Sequence, residues 1–317
     1  MTEELADSVI AGDPRALARA ISIIENRKTG YRDIVARLHA NTRLSHVIGV
    51  TGSPGTGKST LVDRLVAAYR DRDFRVGVIG IDPSSPFSGG AILGDRIRMK
   101  AARGDTEVFV RSMSTRGSLG GLSPATDDVI TAFEAFGMDR VIVETVGTGQ
   151  NEIDVVRTAD SVVVITQPAQ GDDVQALKAG ILEIGDVFVV NKSDLDGADR
   201  TVRLLTQMLS EREDADEWDP PVIQTVGTAD EGTFDLMESL ESHERFLHAS
   251  ETFDQRRRSR HEAHLRRVIR EELRDLVEAA CDEAGLASAI DAIASGDKDV
   301  YAVADEMTEI ISVDENI

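Results

Sequence analysis

Gly52-Ser53-Pro54-Gly55-Thr56-Gly57-Lys58-Ser59 satisfies the spacing G-x-x-x-x-G-K-[ST]. It lies between a short β-branched run, Val47-Ile48-Gly49-Val50, and an amphipathic stretch from Leu61 to Tyr69, the strand–loop–helix setting in which this spacing binds phosphate. Glycines let backbone N–H groups converge on phosphate oxygens, and the helix that follows points its positive dipole end at them. Lys58 is expected to contact the β- and γ-phosphates and the Ser59 hydroxyl to ligate Mg²⁺, with Ser53, Pro54, Gly55, Thr56, Gly57 and Thr60 completing the cradle.

Two acidic positions follow strand-like runs. Glu144-Thr145-Val146-Gly147 comes after Val141-Ile142-Val143 and fits [DE]-x-x-G, in which the acid works on Mg²⁺ or its waters and the Gly147 N–H meets the γ-phosphate. Ile81-Asp82-Pro83-Ser84-Ser85 places Asp82 at another strand end, as an outer partner of the metal. Residues 83–99 are glycine-rich with few apolar anchors, as a segment that orders around a γ-phosphate would be, and Asp95 within it is a further metal candidate. Lys58, Asp95, Glu144 and Gly147 make up the expected catalytic set, and Ser59, Asp82, Asp95 and Glu144 the metal set. Gln150 stands three positions beyond Gly147, a poor place from which to orient a water, so slow intrinsic hydrolysis is expected.

Asn191-Lys192-Ser193-Asp194 follows the strand-like Val187-Phe188-Val189-Val190. A carboxylate at that rim accepts hydrogen bonds from guanine N1–H and from its exocyclic amino group, whereas adenine would leave it unpaired. Asp194 is therefore the expected base selector, the Lys192 stem covers the base plane, and Asn191 ties this loop to the phosphate loop. The ligand pair these residues call for is GTP and GDP, with Mg²⁺.

Positioning these loops requires a sheet. Further β-branched runs occur at Val76–Ile79, Val108–Val110, Val162–Ile165 and Val222–Ile223, and near-continuous apolar strands are buried on both faces, as in parallel sheets. Helix-length stretches at Asp127–Phe136 and Val174–Ile184 alternate with them, which predicts an α/β, doubly wound, mostly parallel sheet over residues 46–232. Residues 1–45 read as an N-terminal helical extension entered at Asp13-Pro14, and residues 233–317 as a charged C-terminal helical region in which Arg256-Arg257-Arg258 is expected to be a solvated face.

Of 317 residues, 41% are hydrophobic, enough for a substantial core, and the formal net charge of −22 repels a phosphate backbone, which argues against nucleic-acid binding. Cys281 is the only cysteine, which excludes an intrachain disulfide or a multi-cysteine metal site. An acidic start, Met1-Thr2-Glu3-Glu4, and the absence of any apolar run near the ~20 residues of a membrane span point to a cytoplasmic protein without a membrane segment.

With these residues placed, the chain resembles the MeaB/ArgK family of P-loop GTPases, also known as LAO/AO transport ATPases. The resemblance rests on Gly12-Asp13-Pro14-Arg15-Ala16-Leu17-Ala18-Arg19-Ala20, the phosphate loop, Asp82-Pro83-Ser84-Ser85-Pro86 and Gly94-Asp95-Arg96-Ile97-Arg98-Met99. It continues through Glu144-Thr145-Val146-Gly147-Thr148-Gly149-Gln150, Gln175-Ala176-Leu177-Lys178-Ala179-Gly180-Ile181 and Asn191-Lys192-Ser193-Asp194. It implies a GTP-hydrolysing chaperone that gates adenosylcobalamin loading and protects methylmalonyl-CoA mutase. It also implies a switch over Gln167–Gly180, with Asp172, Gln175 and Lys178 coupling to the mutase, and a homodimer formed through the helical extensions. The guanine-side loop, often Ser-Ala in the family, departs from it here as Gln224-Thr225-Val226-Gly227-Thr228, leaving a backbone N–H of Val226, Gly227 or Thr228 to meet the guanine carbonyl. Two other readings stand beside this one. A kinase or ATPase of an amino-acid transport system would need an acceptor site and catalytic base that no motif supplies, and a metallochaperone GTPase would need Cys/His clusters, against one Cys and six His.

Overall fold

The computed structural model describes residues 2–82, 104–114, 125–145, 155, 157–168, 182–211, 218–283 and 285–313, Asp82 in its backbone only. The chain opens with α1 (Thr2–Ile10), α2 (Pro14–Glu25) and α3 (Tyr31–His39). The Asp13-Pro14 start signal works as read: the Asp13 carboxylate accepts from Arg15 N at 2.8 Å, and Pro14 opens the helix, where no N–H is needed.

Then come β1 (His46–Gly52), α4 (Lys58–Arg70), β2 (Val76–Asp82), β3 (Val108–Ser114), α5 (Thr126–Phe136), β4 (Arg140–Glu144), β5 (Ser161–Thr166), β6 (Val187–Asn191), α6 (Ala198–Ser210) and β7 (Val222–Thr225). The chain continues as α7 (Thr233–Ala249), α8 (Thr252–Glu283), α9 (Leu286–Ala294) and α10 (Val300–Val313). All seven apolar runs are strands of one sheet in the order β3-β2-β4-β1-β5-β6-β7, every pairing parallel. The helical stretch expected at Val174–Ile184 lies, but for residues 182–184, outside the described residues.

Strand residues alternate between two cores, as the period of a pleated strand demands. Ile48, Val50, Val163, Ile165, Val187 and Val189 pack with Leu61, Leu65 and Val66 of α4 and with Leu236, Met237 and Leu240 of α7. Val47, Val141, Val143, Val162, Val164 and Val190 face the other way, into a core shared with α5, α6 and the three leading helices through Leu5, Val9, Leu17, Ile21, Ile34 and Leu38. Both faces are covered, which is why the strands read as continuous apolar runs.

The chain groups into two compact units, Met1–Arg260 and His261–Ile317. Within the first unit, α7 covers one face of the sheet through Leu236, Met237 and Leu240. Along α8 within the second unit, Leu265, Ile269, Leu273 and Leu276 are exposed at helical spacing.

In a parallel sheet every strand presents its carboxyl end at one edge. β1 sits between β4 and β5, where the order of successive strands reverses, and the rim there is the place where such sheets bind ligands. At the opposite edge, polar residues that open β1 and β5 make a buried spine with side chains of α7 and α8. His46 Nε2 and His243 Nδ1 each lie 2.6 Å from Ser161 Oγ. His243 Nε2 stands 3.3 Å from Asp186 Oδ1, and Arg256 donates to both Asp186 oxygens at 2.8 Å. Serine, histidine and aspartate follow one another as in a hydrolytic triad, but Ser161 and His243 are 0% exposed, so no substrate can reach them. Arg257 donates to the Ser45 carbonyl and to Glu134 Oε1. The arginine run is thus not the solvated face its sequence suggests. Arg256 and Arg257 turn inward as counter-charges to carboxylates brought in by distant strands and α5, and Arg258 alone is exposed.

Burial pushes the His243 imidazole down to about 4, outweighing the upward pull of Asp186. Burial, followed by the Arg140 guanidinium, holds His46 well below the usual range. Between about 6.5 and about 4 the unfolded chain takes up a proton that folded His243 refuses, so stability falls as pH drops through that window. At about 1.4 kcal/mol per unit the ring alone accounts for about 3 kcal/mol. Burial raises Asp160 and Glu244, which bind protons in the folded state first and oppose the loss. His243→Gln isolates the ring. Its urea-unfolding free energy should change less between about pH 7 and about pH 4.5 than the parent's, and an equal change in both would overturn the assignment.

Candidate functional site

β1 ends at Gly52 and α4 begins at Lys58, so the glycine-rich loop lies at the central strand's carboxyl end. Two glycines are needed by geometry. A Cβ at Gly52 (φ 144°) would run into the Ile165 carbonyl oxygen of β5, and one at Gly57 (φ 89°) into the Asn191 amide. Lys58 is only 7% exposed, its Nζ donating to the carbonyls of Gly52 at 2.8 Å and Ser53 at 3.0 Å. The ammonium is therefore folded into the mouth of the loop.

One residue on, Ser59 Oγ donates to Glu144 Oε1 at 2.6 Å, a short charge-assisted bond. The pairing follows from register: β4 lies beside β1 with Glu144 opposite Val50, so the buried carboxylate arrives at the first turn of α4. A hydroxyl and a carboxylate oxygen at one helix N-terminus are hard oxygen donors of the kind that suits Mg²⁺. Asp82 closes β2, two strands from β1, its backbone in register with Ser114.

Asn191 closes β6 and binds three segments together. Its Nδ2 donates to the Thr56 carbonyl at 2.7 Å, and its Oδ1 accepts from Thr225 Oγ1 at 3.0 Å and Gly227 N at 3.1 Å. Lys192, in the left-handed region (φ 57°), sends Nζ across to the Gly55 carbonyl at 2.7 Å and to Gln167 Oε1 at 2.9 Å. The turn is fixed by Ser193 N to the Thr225 carbonyl and Leu195 N to the Lys192 carbonyl, both at 3.0 Å, and it leaves Asp194 exposed at the rim. Beyond β7, Val226 N donates to the Glu231 carbonyl at 3.0 Å, Gly227 is buried against Thr60 and Leu61, and Thr228 is exposed.

The phosphate loop, Ser59, Glu144, Asn191, Lys192, Asp194 and Val226–Thr228 thus share one rim. Asp95, Gly147, Gln150, Asp172, Gln175, Lys178 and the segment 83–99 lie outside the described residues. Thr225 and Gln167 figure in the sequence only as members of the guanine-side loop and the implied switch, without roles of their own, and Arg64 carries no signal there; its Nε donates to the Gly227 carbonyl at 3.1 Å and Nη2 to the Thr228 carbonyl at 3.3 Å. Thr225 could have been found as the last residue of a strand in register with Asn191. Arg64 could not, because backbone carbonyls leave no side-chain pattern.

A seven-stranded parallel sheet bearing a phosphate loop on its central strand, with an Asn-Lys-x-Asp turn bound to that loop from two strands away, defines a P-loop nucleotide-binding protein of the GTPase class. Within that class the chain belongs to the family described as methylmalonyl Co-A mutase-associated GTPase MeaB, which it matches over residues 17–282. It is 46% identical over 312 residues to a Pyrococcus horikoshii protein named as a GTPase, the match covering 98% of each chain. It is 33% identical over 273 residues to GTPase ArgK of Escherichia coli, covering 83% of this chain and 82% of that one. The crystal structure of an LAO/AO transport system kinase superimposes with a TM-score of 0.72 at 25% identity, over 98% of this chain and 97% of that one. The protein is a P-loop GTPase of the family its motifs resemble.

Proposed function

We propose that this GTPase is a chaperone of an adenosylcobalamin-dependent methylmalonyl-CoA mutase, gating cofactor loading and protecting the mutase according to the guanine nucleotide it holds. The observation that carries the reading is its membership, over residues 17–282, of a family described as mutase-associated.

The chain's own groups divide the work. On nucleotide entry Lys58 Nζ exchanges two loop carbonyls for β- and γ-phosphate oxygens and places its charge where the transferring phosphoryl group gathers negative charge. Ser59 and Glu144 would hold Mg²⁺, with Asp95 a further candidate ligand and Asp82 in its outer shell, and the ion would supply charge neutralisation at the phosphates. The Gly147 N–H senses the γ-phosphate, and Asp172, Gln175 and Lys178 pass that state to the mutase. Asp194 selects guanine, Lys192 covers its plane, and Asn191 keeps base site and phosphate site at a fixed separation.

In the same proposal residues 46–232 are the nucleotide-binding domain, 1–45 its leading extension and 233–317 a dimerisation region in a cytoplasmic homodimer. The exposed Leu265, Ile269, Leu273 and Leu276 of α8 support the last point, since such a face is covered by a like helix in coiled-coil pairing. Among the described residues no helix is long and apolar enough to cross a membrane.

The test mixes the protein with cofactor-free mutase and follows adenosylcobalamin transfer by its absorbance, with light scattering on the same samples. Transfer should differ between GTP, GDP and no nucleotide, and the GTPase alone should have the mass of two chains. Identical transfer under all three conditions would sink the chaperone reading, and a one-chain mass would sink the dimer.

A further inference from the structure

We propose that Arg64 is a positioning residue for guanine recognition: from the flank of α4 it sets the loop that meets the base's 6-oxo group. The inference rests on the guanine-nucleotide reading of the site and deepens it.

α4 starts at Lys58 and carries Lys58 and Ser59 in its first turn, so this helix already anchors the phosphate end. Arg64 lies further along it and reaches over to the loop after β7, Nε to the Gly227 carbonyl at 3.1 Å and Nη2 to the Thr228 carbonyl at 3.3 Å. Two carbonyls held by one planar fork fix a direction that a single bond would not. In a planar trans peptide the Gly227 carbonyl and the Thr228 N–H belong to one rigid unit and point opposite ways. Holding the carbonyl therefore aims the N–H.

The loop's other donors are committed elsewhere. Val226 N is given to the Glu231 carbonyl and Gly227 N to Asn191 Oδ1, so of the three candidate N–H groups Thr228's is the one left to serve the guanine carbonyl. Gly227 also packs directly on the first turn of α4, where an added Cβ would meet Thr60 Cγ2 and Asn191 Oδ1 at 3.5 Å. One helix thus holds the phosphates at its end and the base loop along its side.

The test compares GDP with 6-thio-GDP, in which sulfur replaces the 6-oxygen while N1–H and the amino group stay for Asp194. The wild-type protein should bind GDP more tightly than the thio analogue by about three- to tenfold, the worth of one neutral hydrogen bond. Arg64→Met, which keeps the aliphatic stem, and Arg64→Gln, which keeps a shorter donor, should bring that ratio close to one, with Met the stronger effect. A general loosening of the site would weaken both ligands alike and leave the ratio standing, which would overturn the proposal. So would a wild-type protein indifferent to the substitution, or loss of the fold in both variants, since a positioning residue leaves the fold intact. If the wild type does not bind GDP at all, the guanine reading itself fails. If it binds GDP, and Asp194→Asn weakens that binding while the Arg64 variants keep the wild-type ratio, only the Arg64 inference fails.

Discussion

Lys58→Ala should lower GTP turnover by at least about a hundredfold, the usual cost of removing one preorganised group that stabilises transition-state charge. The ammonium is positioned before any nucleotide arrives, buried to 7% exposure and held by the Gly52 and Ser53 carbonyls. Gly52 itself lies so close to the Ile165 carbonyl that a side chain would not fit between them. Alanine removes the charge and leaves the loop backbone in place, so the loss should fall on turnover more heavily than on folding. Lys58→Arg is not a rescue, since a broad planar guanidinium does not place a compact point charge between the β- and γ-phosphates as an ammonium does. The measurement is phosphate release at saturating GTP, beside the melting temperature of each variant. Undiminished turnover in the alanine variant would remove this loop from the reaction.

How much of this could be read from sequence depended on whether a signal was local. The seven strands could be read because a strand buried on both faces needs apolar residues at nearly every position, and Val162-Val163-Val164-Ile165 has no competing reading. The phosphate loop and the Asn191–Asp194 turn could be read because their chemistry demands fixed residues at fixed spacings. The inward turn of Arg256 and Arg257 could not, since an arginine run on a helix has one local signature whether its partner is water or Asp186, 70 residues away. The same holds for His46, Ser161 and His243: the first two meet because parallel strands start at one edge, and the third is brought to them by α7 packed over that edge. α7 reads as part of a charged C-terminal region, yet Leu236, Met237 and Leu240 complete one face of the sheet. Few apolar residues on one helical stripe are enough to join a core.

The buried spine and the nucleotide rim occupy opposite ends of the same strands, with different consequences. β1 runs from His46 in the spine to Gly52 at the phosphate loop, and β5 from Ser161 toward Ile165, whose carbonyl sets the conformation of Gly52. Hydrogen bonds and ion pairs at the amino edge tie the strand starts together, and register places Glu144 opposite Val50 and Asn191 opposite Thr225. The preorganisation of the site is therefore inherited from the whole sheet, while chemical specificity is left to side chains on the rim.

Asp194→Asn tests that division most sharply, because it should exchange the base the protein accepts without touching the phosphate site. The Asp194 carboxylate offers two acceptors, matching guanine N1–H and the 2-amino group. Xanthine keeps N1–H but carries a carbonyl at position 2, which an asparagine amide serves with its N–H while its oxygen still accepts from N1–H. Loss of a charge-assisted bond, together with an amide N–H facing an amino group, should weaken GDP by about a hundredfold, and a site built on hydrogen bonds should gain xanthosine diphosphate in return. The turn itself should survive, since its backbone is held by Ser193 N to the Thr225 carbonyl and by Asn191 to Thr56, none of which involves the Asp194 side chain. Binding of GDP, XDP and ADP to parent and variant reads the exchange directly. Equal affinity of the parent for GDP and ADP, or a variant whose preference does not move toward XDP, would place base selection on some other residue.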